Sequence, residues 1–149
     1  MARFRPATKI DLDAVLGMMR RYYEEDNYPF IESEAREAAS GLIDDRNLGC
    51  LQVAVVDDVV AGYLAVTLGF SLEYRGRDAF LDELFIAEEH RSQGLGREAI
   101  DIAAAWCRER GVNALHLEVE RHREKAHKLY RQVGFEDHDR YLMTKWLKD

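Results

Sequence analysis

A chain of 149 residues has room for one ordinary domain, and 47% hydrophobic residues suffice for a core without disulfide or metal staples. Its 21 basic and 28 acidic side chains leave a formal charge of −7. That balance argues against a general grip on nucleic acid, whose affinity comes largely from neutralised phosphates.

Arg3-Phe4-Arg5 reads as a short first strand ended by Pro6. Thr8 and Asp11 resemble a capping box, with Asp where Glu is usual. Leu12, Val15, Leu16, Met19, Tyr22 and Tyr23 follow the spacing of an amphipathic helix. A second helix starts near Ser33, with Ala35, Ala38, Ala39 and Leu42 along its apolar face. The polar turn between them, Glu24 to Phe30, reads either as a plain connection or as part of a substrate rim.

Cys50 to Val56 and Val59 to Leu68 are β-rich runs joined at Asp57-Asp58, a weaker hairpin signal than Asp-Gly. Phe80 to Ile86 is the next strand. A long helix spans Gly94 to Arg110, with Leu95, Ala99, Ile102, Ala103 and Trp106 on one face and Gly111 as its stop. Ala114 to Val119 is a strand, Arg123 to Val133 a helix, and Tyr141 to Leu147 a final strand. The order β-α-α-β-β-β-α-β-α-β predicts an α/β protein, a mixed sheet with helices on its faces. With no repeats or linkers, residues 1–149 are expected to form a single domain.

Cys50 and Cys107 are too few and too far apart in sequence for a disulfide scaffold or a CxxC motif. The start of the chain lacks an apolar signal region, and no run approaches 18 apolar residues. A soluble, cytoplasmic protein without a membrane partner is the expectation. The five histidines show no HExxH or Cys/His cluster, so no metal is expected.

The chemistry concentrates in two segments. In the first, Phe80-Leu-Asp-Glu-Leu-Phe-Ile86 leads through a turn into Arg91-Ser-Gln-Gly-Leu-Gly-Arg97 and a helix. Glycines there let backbone N–H groups converge on a ligand, and the helix N-terminus adds unpaired N–H groups and a positive dipole end. A phosphate or pyrophosphate is the natural guest, although Gly-x-Gly alone also fits a tight strand-to-helix turn. It is neither a Walker loop nor a full GxGxxG fingerprint. The second segment is Ala126-His-Lys-Leu-Tyr130-Arg-Gln-Val-Gly134-Phe135.

Arg-x-x-Gly-x-Gly after a strand, followed by Ala-x-x-Leu-Tyr-x-x-x-Gly-Phe, resembles the GCN5-related N-acetyltransferases. The order of elements is similar to that family's from Arg3 to Leu147. The resemblance implies the acyl-CoA N-acyltransferase fold, with splayed parallel strands, and acetyl-CoA as co-substrate. It places the coenzyme pyrophosphate on Arg91, Ser92, Gln93, Gly94, Leu95, Gly96 and Arg97, and the pantetheine arm along Leu84, Phe85 and Ile86. A backbone N–H of that strand would polarise the thioester carbonyl. Tyr130 matches the family's frequent general acid, which protonates the departing thiolate. Two positions depart from the pattern. Ser92 stands where another glycine is common, and Arg123 where an asparagine usually contacts the cofactor. Arg123 would either reach a coenzyme phosphate or face solvent.

An amine acceptor with a pKa of about 10.4 must lose a proton before attack, at roughly 4–5 kcal/mol near pH 7. The candidate bases are Asp82 and Glu83; a water chain or Glu118 is the remaining option. Strand alternation puts Asp82 with Leu84 and Ile86, and Glu83 with Phe85 on the opposite face. The acceptor, a small-molecule or peptide amine, is expected against Tyr22, Tyr23, Tyr28, Phe30 and the stretch Phe70 to Tyr74. Among these lie the acids Glu24, Glu25, Asp26 and Glu73. Other readings stay open: a non-catalytic acyl-CoA sensor, or an acyltransferase using another acyl-CoA or acceptor. The resemblance also carries homodimerisation as an expectation. Residues 121–149 hold eight basic and five acidic side chains, leaving −10 on the first 120. That split suits a cationic acceptor beside an anionic coenzyme.

Overall fold

In the computed structural model, residues 3–148 are described; Met1, Ala2 and Asp149, which the expected single domain includes, lie outside them. The strands are β1 (Phe4–Pro6), β2 (Gly49–Val56), β3 (Val59–Ser71), β4 (Gly76–Ile86) and β5 (Ala114–Leu117). The helices are α1 (Leu12–Glu25), α2 (Glu32–Asp44), α3 (Leu95–Glu109) and α4 (Glu124–Gln132). The chain divides into two compact units, one ending at Glu118 and the other beginning at Val119.

The first unit holds one sheet in the order β1-β2-β3-β4-β5. Its first four strands pair antiparallel, and β4 pairs parallel with β5. The entry to α1 is fixed locally. The Thr8 amide donates to Asp11 Oδ2 at 2.8 Å, and Arg5 grips both Asp11 oxygens at 2.8 and 2.9 Å. Leu12, Val15, Leu16 and Met19, spaced for one helical face, are buried as the periodicity requires. They join Leu51, Val53, Tyr63, Ala65, Phe85 and Ala39 of α2 in one cluster on the face covered by α1 and α2. Ala38, expected on the apolar face of α2, is exposed. Leu95, Ala99, Ile100, Ala103 and Cys107 of α3 are buried outside that cluster, as are Leu64, Val66 and Leu81.

The β2–β3 connection is a tight hairpin. Asp57 and Asp58 take φ of 50° and 62°, the left-handed pair that a type I′ turn needs. One expected element is absent: residues 141–147 form no strand. Tyr141, Met143, Trp146 and Leu147 are each at least 85% exposed. Their alternation carries β-propensity, but propensity makes a strand only where a ladder partner and a packing face exist.

The second unit contains α4. Its Arg123 amide donates to the Glu120 carbonyl at 3.0 Å, and the Phe135 amide to that of Tyr130 at 2.9 Å. Among the described residues, no helix is long and apolar enough to cross a membrane.

Candidate active site

The site is built where β4 outruns its parallel neighbour. β4 and β5 pair only over Asp78–Leu81 against Ala114–Leu117, so residues 82–86 have no partner on that side. Which backbone groups face the gap follows from the ladder. Ala87 N–H donates to Ala61 O at 2.8 Å, and the register continues as Gly62 with Ile86, Tyr63 with Phe85 and Leu64 with Leu84. Hydrogen-bonded and non-bonded pairs alternate in an antiparallel ladder. Leu84 and Ile86 therefore turn their N–H and C=O groups outward into the gap, whereas those of Phe85 are spent on Tyr63. Of the three residues expected along the pantetheine arm, Leu84 presents both of its edge groups and Ile86 its N–H, the Ile86 carbonyl being taken by Arg91.

The glycine turn follows directly. Ser92 and Gly94 both take left-handed backbone, with φ of 66° and 80°. Glycine tolerates that region freely, while serine enters it at some cost. A Cβ placed on Gly94 would meet nothing within 4 Å, so the space above the turn is open. Gly94 is the N-cap of α3 and supplies no capping side chain, so the first-turn amides of Leu95, Gly96 and Arg97 have no intrahelical acceptor. These amides and the dipole end form an anion cradle. Gln93 and Arg97 are exposed beside it. Arg91 points elsewhere: its Nε donates to Ile86 O at 2.8 Å, a terminal nitrogen reaches Glu25 at 3.2 Å, and its guanidinium lies 5.2 Å from the Phe85 ring centre.

The two candidate carboxylates do not obey strict alternation. Ala65 pairs with Glu83 and Val66 with Leu81, leaving Asp82 as an unpaired bulge residue. A bulge re-aims side chains and resets the faces on either side of it. Glu83 thus shares the α1/α2 face with Phe85, although Leu81 is buried outside that cluster. Asp82, as the bulge residue, has no ladder partner, and its charge acts on both Tyr23 and Glu83.

Glu83 accepts hydrogen bonds from Tyr23 at 2.5 Å and from Tyr63 at 2.7 Å. Burial holds its carboxyl above the ordinary range, and the two phenols partly offset that. Burial also raises Asp82. Burial foremost, and then the Glu83 charge, push the Tyr23 and Tyr63 phenols well above their usual range, so both stay protonated donors. Glu118 is exposed, one residue past the end of β5.

Aromatic rings surround the acids. Tyr23 lies 5.7 Å from Tyr22, 6.1 Å from Tyr28 and 5.6 Å from Phe30, and Tyr22 lies 5.9 Å from Phe85. The stretch Phe70 to Tyr74 does not join them. It occupies the tip of the β3–β4 hairpin, roughly 20 Å along β3 from Tyr63 at the usual rise per residue. Tyr63, absent from the sequence-based expectations, is the residue they missed. It sits within an unbroken apolar run, and only the fold shows its hydroxyl meeting Glu83.

In the second unit, Tyr130 on α4 packs its ring 5.9 Å from that of Phe135. Burial raises its phenol, and the Arg123 charge pulls it back down. Among the described residues, no group of three or more His, Cys, Asp or Glu could hold a metal ion.

The chain was compared with known proteins. The model of the acetyltransferase (GNAT) family matches residues 14–135. Thialysine N-epsilon-acetyltransferase of Mus musculus is 24% identical over 143 residues, covering 91% of this chain and 84% of that protein. An integron cassette protein from the mobile metagenome of Cole Harbour Salt Marsh has a crystal structure that superposes with a TM-score of 0.86 at 28% identity. That match covers 99% of this chain and 91% of the other. A Clostridium acetobutylicum protein described as a predicted acetyltransferase, solved with acetyl-CoA, gives a TM-score of 0.81. It covers 97% of this chain and 96% of its own, and at 17% identity the likeness is one of fold.

Proposed function

The chain belongs to the acetyltransferase (GNAT) family, and from that footing we propose that Asp82 is its base, Tyr130 its acid, and the open β4 edge its coenzyme track. It is an acetyl-CoA-dependent N-acetyltransferase. The observation that carries the residue assignment is the overhang of β4. The same five residues offer outward backbone groups, hold both raised carboxylates, and run into the anion cradle.

Acetyl-CoA supplies the acetyl group as an activated thioester. The outward N–H and C=O of Leu84 and the outward N–H of Ile86 pair with the pantetheine amides as a further strand would. The amides of Leu95, Gly96 and Arg97 take the pyrophosphate. Asp82 accepts a proton from the acceptor ammonium, directly or through water, and so releases a neutral amine for attack on the carbonyl carbon. An outward N–H of β4 stabilises the negative charge that develops on the carbonyl oxygen. Tyr130 gives its phenol proton to the leaving sulfur, and the surplus proton on the acetylated nitrogen passes through water to the Tyr130 phenolate, which leaves the N-acetyl amine, free coenzyme A and a restored phenol. Attack is direct, with both substrates bound together.

The acceptor is a primary amine on an apolar body. Tyr22, Tyr23, Tyr28 and Phe30 supply the apolar wall, and Asp82 and Glu83 draw a cation towards it. Thialysine, the acceptor in the name of the mouse relative, has this form and heads the acceptor panel. The test is thiol release from acetyl-CoA with thialysine, lysine, a polyamine and a peptide N-terminus. Intersecting initial-velocity lines and a preference for cationic amines are expected. Release with none of them, alongside normal coenzyme binding, would identify a binding protein instead.

A further inference from the structure

Two phenols from different elements converge on one carboxylate. Tyr23, on α1, donates to Glu83 Oε2 and Tyr63, on β3, to Glu83 Oε1, so each oxygen carries one hydrogen bond. Tyr63 is 1% exposed and cannot turn away. The Asp82 charge acts on this carboxylate and Tyr22 on both phenols, while the Arg21 and Arg91 guanidiniums lie over the Phe85 ring. A hydrogen bond from a neutral phenol stabilises a carboxylate anion, lowers its proton affinity and fixes its plane. Asp82 has no such donors, and burial is the one cause that raises it. The adjacent acids are thus held differently, although burial raises both: two phenol donors clamp Glu83, and no described side chain clamps Asp82.

We propose that Tyr23 and Tyr63 are positioning residues that keep Glu83 ionised and aimed as the anchor for the acceptor's ammonium, leaving proton removal to Asp82. The proposal rests on the acetyltransferase reading above and divides its two acids by role. A fixed anion beside the base holds the cation in register, whereas a freely protonating pair would lose its grip whenever the base is filled. The aromatic wall of Tyr22, Tyr23, Tyr28 and Phe30 is tied to the anchor through the same Tyr23 hydroxyl, so acceptor shape and acceptor charge are read together.

The test compares wild type with Tyr23→Phe, Tyr63→Phe, Glu83→Gln and Asp82→Asn. Two readouts are used: acetyl transfer to thialysine against pH, and the carboxyl 13C titration of labelled glutamate. Tyr23→Phe is expected to raise KM for the amine by roughly tenfold, the worth of one hydrogen bond to a charged group, with kcat largely kept. It should also move the Glu83 titration midpoint upward. Glu83→Gln should raise KM and flatten its pH dependence, and Asp82→Asn should remove the acidic limb from kcat. Circular dichroism and coenzyme binding report folding; if Tyr63→Phe does not fold, Tyr23→Phe carries the test. An unmoved Glu83 midpoint in Tyr23→Phe overturns the proposal, as does a shift of the kcat limb without a change in KM. If wild type acetylates no amine, the acetyltransferase reading fails by itself, and the carboxyl titration still decides the clamp.

Discussion

Arg91 reaches back five residues to donate its Nε–H to the main-chain oxygen of Ile86 at 2.8 Å. The bond ties the last residue of β4 to the first residue of the glycine turn. Strand edge and anion cradle are thereby held at a fixed spacing, and a coenzyme spanning both needs that spacing set before it arrives. The same side chain reaches Glu25 at the end of α1. Arg91→Ala removes the tie while leaving every cradle amide in place. Coenzyme A affinity should fall by roughly three- to tenfold, the worth of about one such hydrogen bond, as read by calorimetry.

The raised carboxylates give a second prediction with a definite sign. A carboxyl whose folded pKa lies above its unfolded value binds more protons in the folded state, so stability falls as pH rises between the two. Asp82 and Glu83 both lie on that side. Asp82→Asn should therefore reduce the loss of stability across the mildly acidic range, seen as a flatter dependence of urea midpoint on pH. In the same variant turnover should drop by about 100-fold or more, with the acidic limb of the rate profile gone.

Tyr130→Phe keeps the ring that packs on Phe135 and deletes the hydroxyl proposed to protonate the thiolate. Turnover is expected to fall by roughly 10- to 100-fold, with coenzyme affinity little changed. Burial holds the phenol protonated beyond its usual range, so the basic limb in wild type should lie higher than that of a free tyrosine. A variant with undiminished turnover from pH 7 to 9 would remove Tyr130 from the chemistry.

Asp11 tests the fold rather than the site. It is 5% exposed and gripped by Arg5 and by the Thr8 amide, so its carboxyl is held below the usual range by the Arg5 hydrogen bonds first of all. A depressed carboxylate contributes stability above its unfolded pKa and loses it as pH falls through the folded value. Asp11→Ala should cost about 2 kcal/mol at neutral pH by chemical denaturation, since the Arg5 partner is half-exposed. The deficit should shrink progressively below pH 4.

Much of this was legible before any coordinates, for identifiable reasons. Leu12, Val15, Leu16 and Met19 declared α1 by period, and Gly94 with Gly96 declared the strand-to-helix turn. Ser92 could be read as compatible with the turn, and its φ of 66° shows what a glycine there avoids. The alternation rule placed Glu83 with Phe85, and it missed the bulge at Asp82. A bulge of one unpaired residue leaves no trace in hydrophobic pattern, because it is decided by the partner strand's register. Tyr63 was invisible for a related reason, since a buried tyrosine in an apolar run looks like core until its hydroxyl finds a carboxylate. The segment 141–147 shows the reverse error, a strand-like pattern without a ladder.

The overhang of β4 has one more consequence, for handling the protein. An unfinished sheet edge is a template for any extended backbone, and another molecule's strand can fill it as readily as a cofactor arm. Seated on the proposed track, coenzyme would act as an edge protector. Preparations stripped of it should self-associate on concentration and gentle warming, and stoichiometric coenzyme A should keep them monodisperse without any change in buffer.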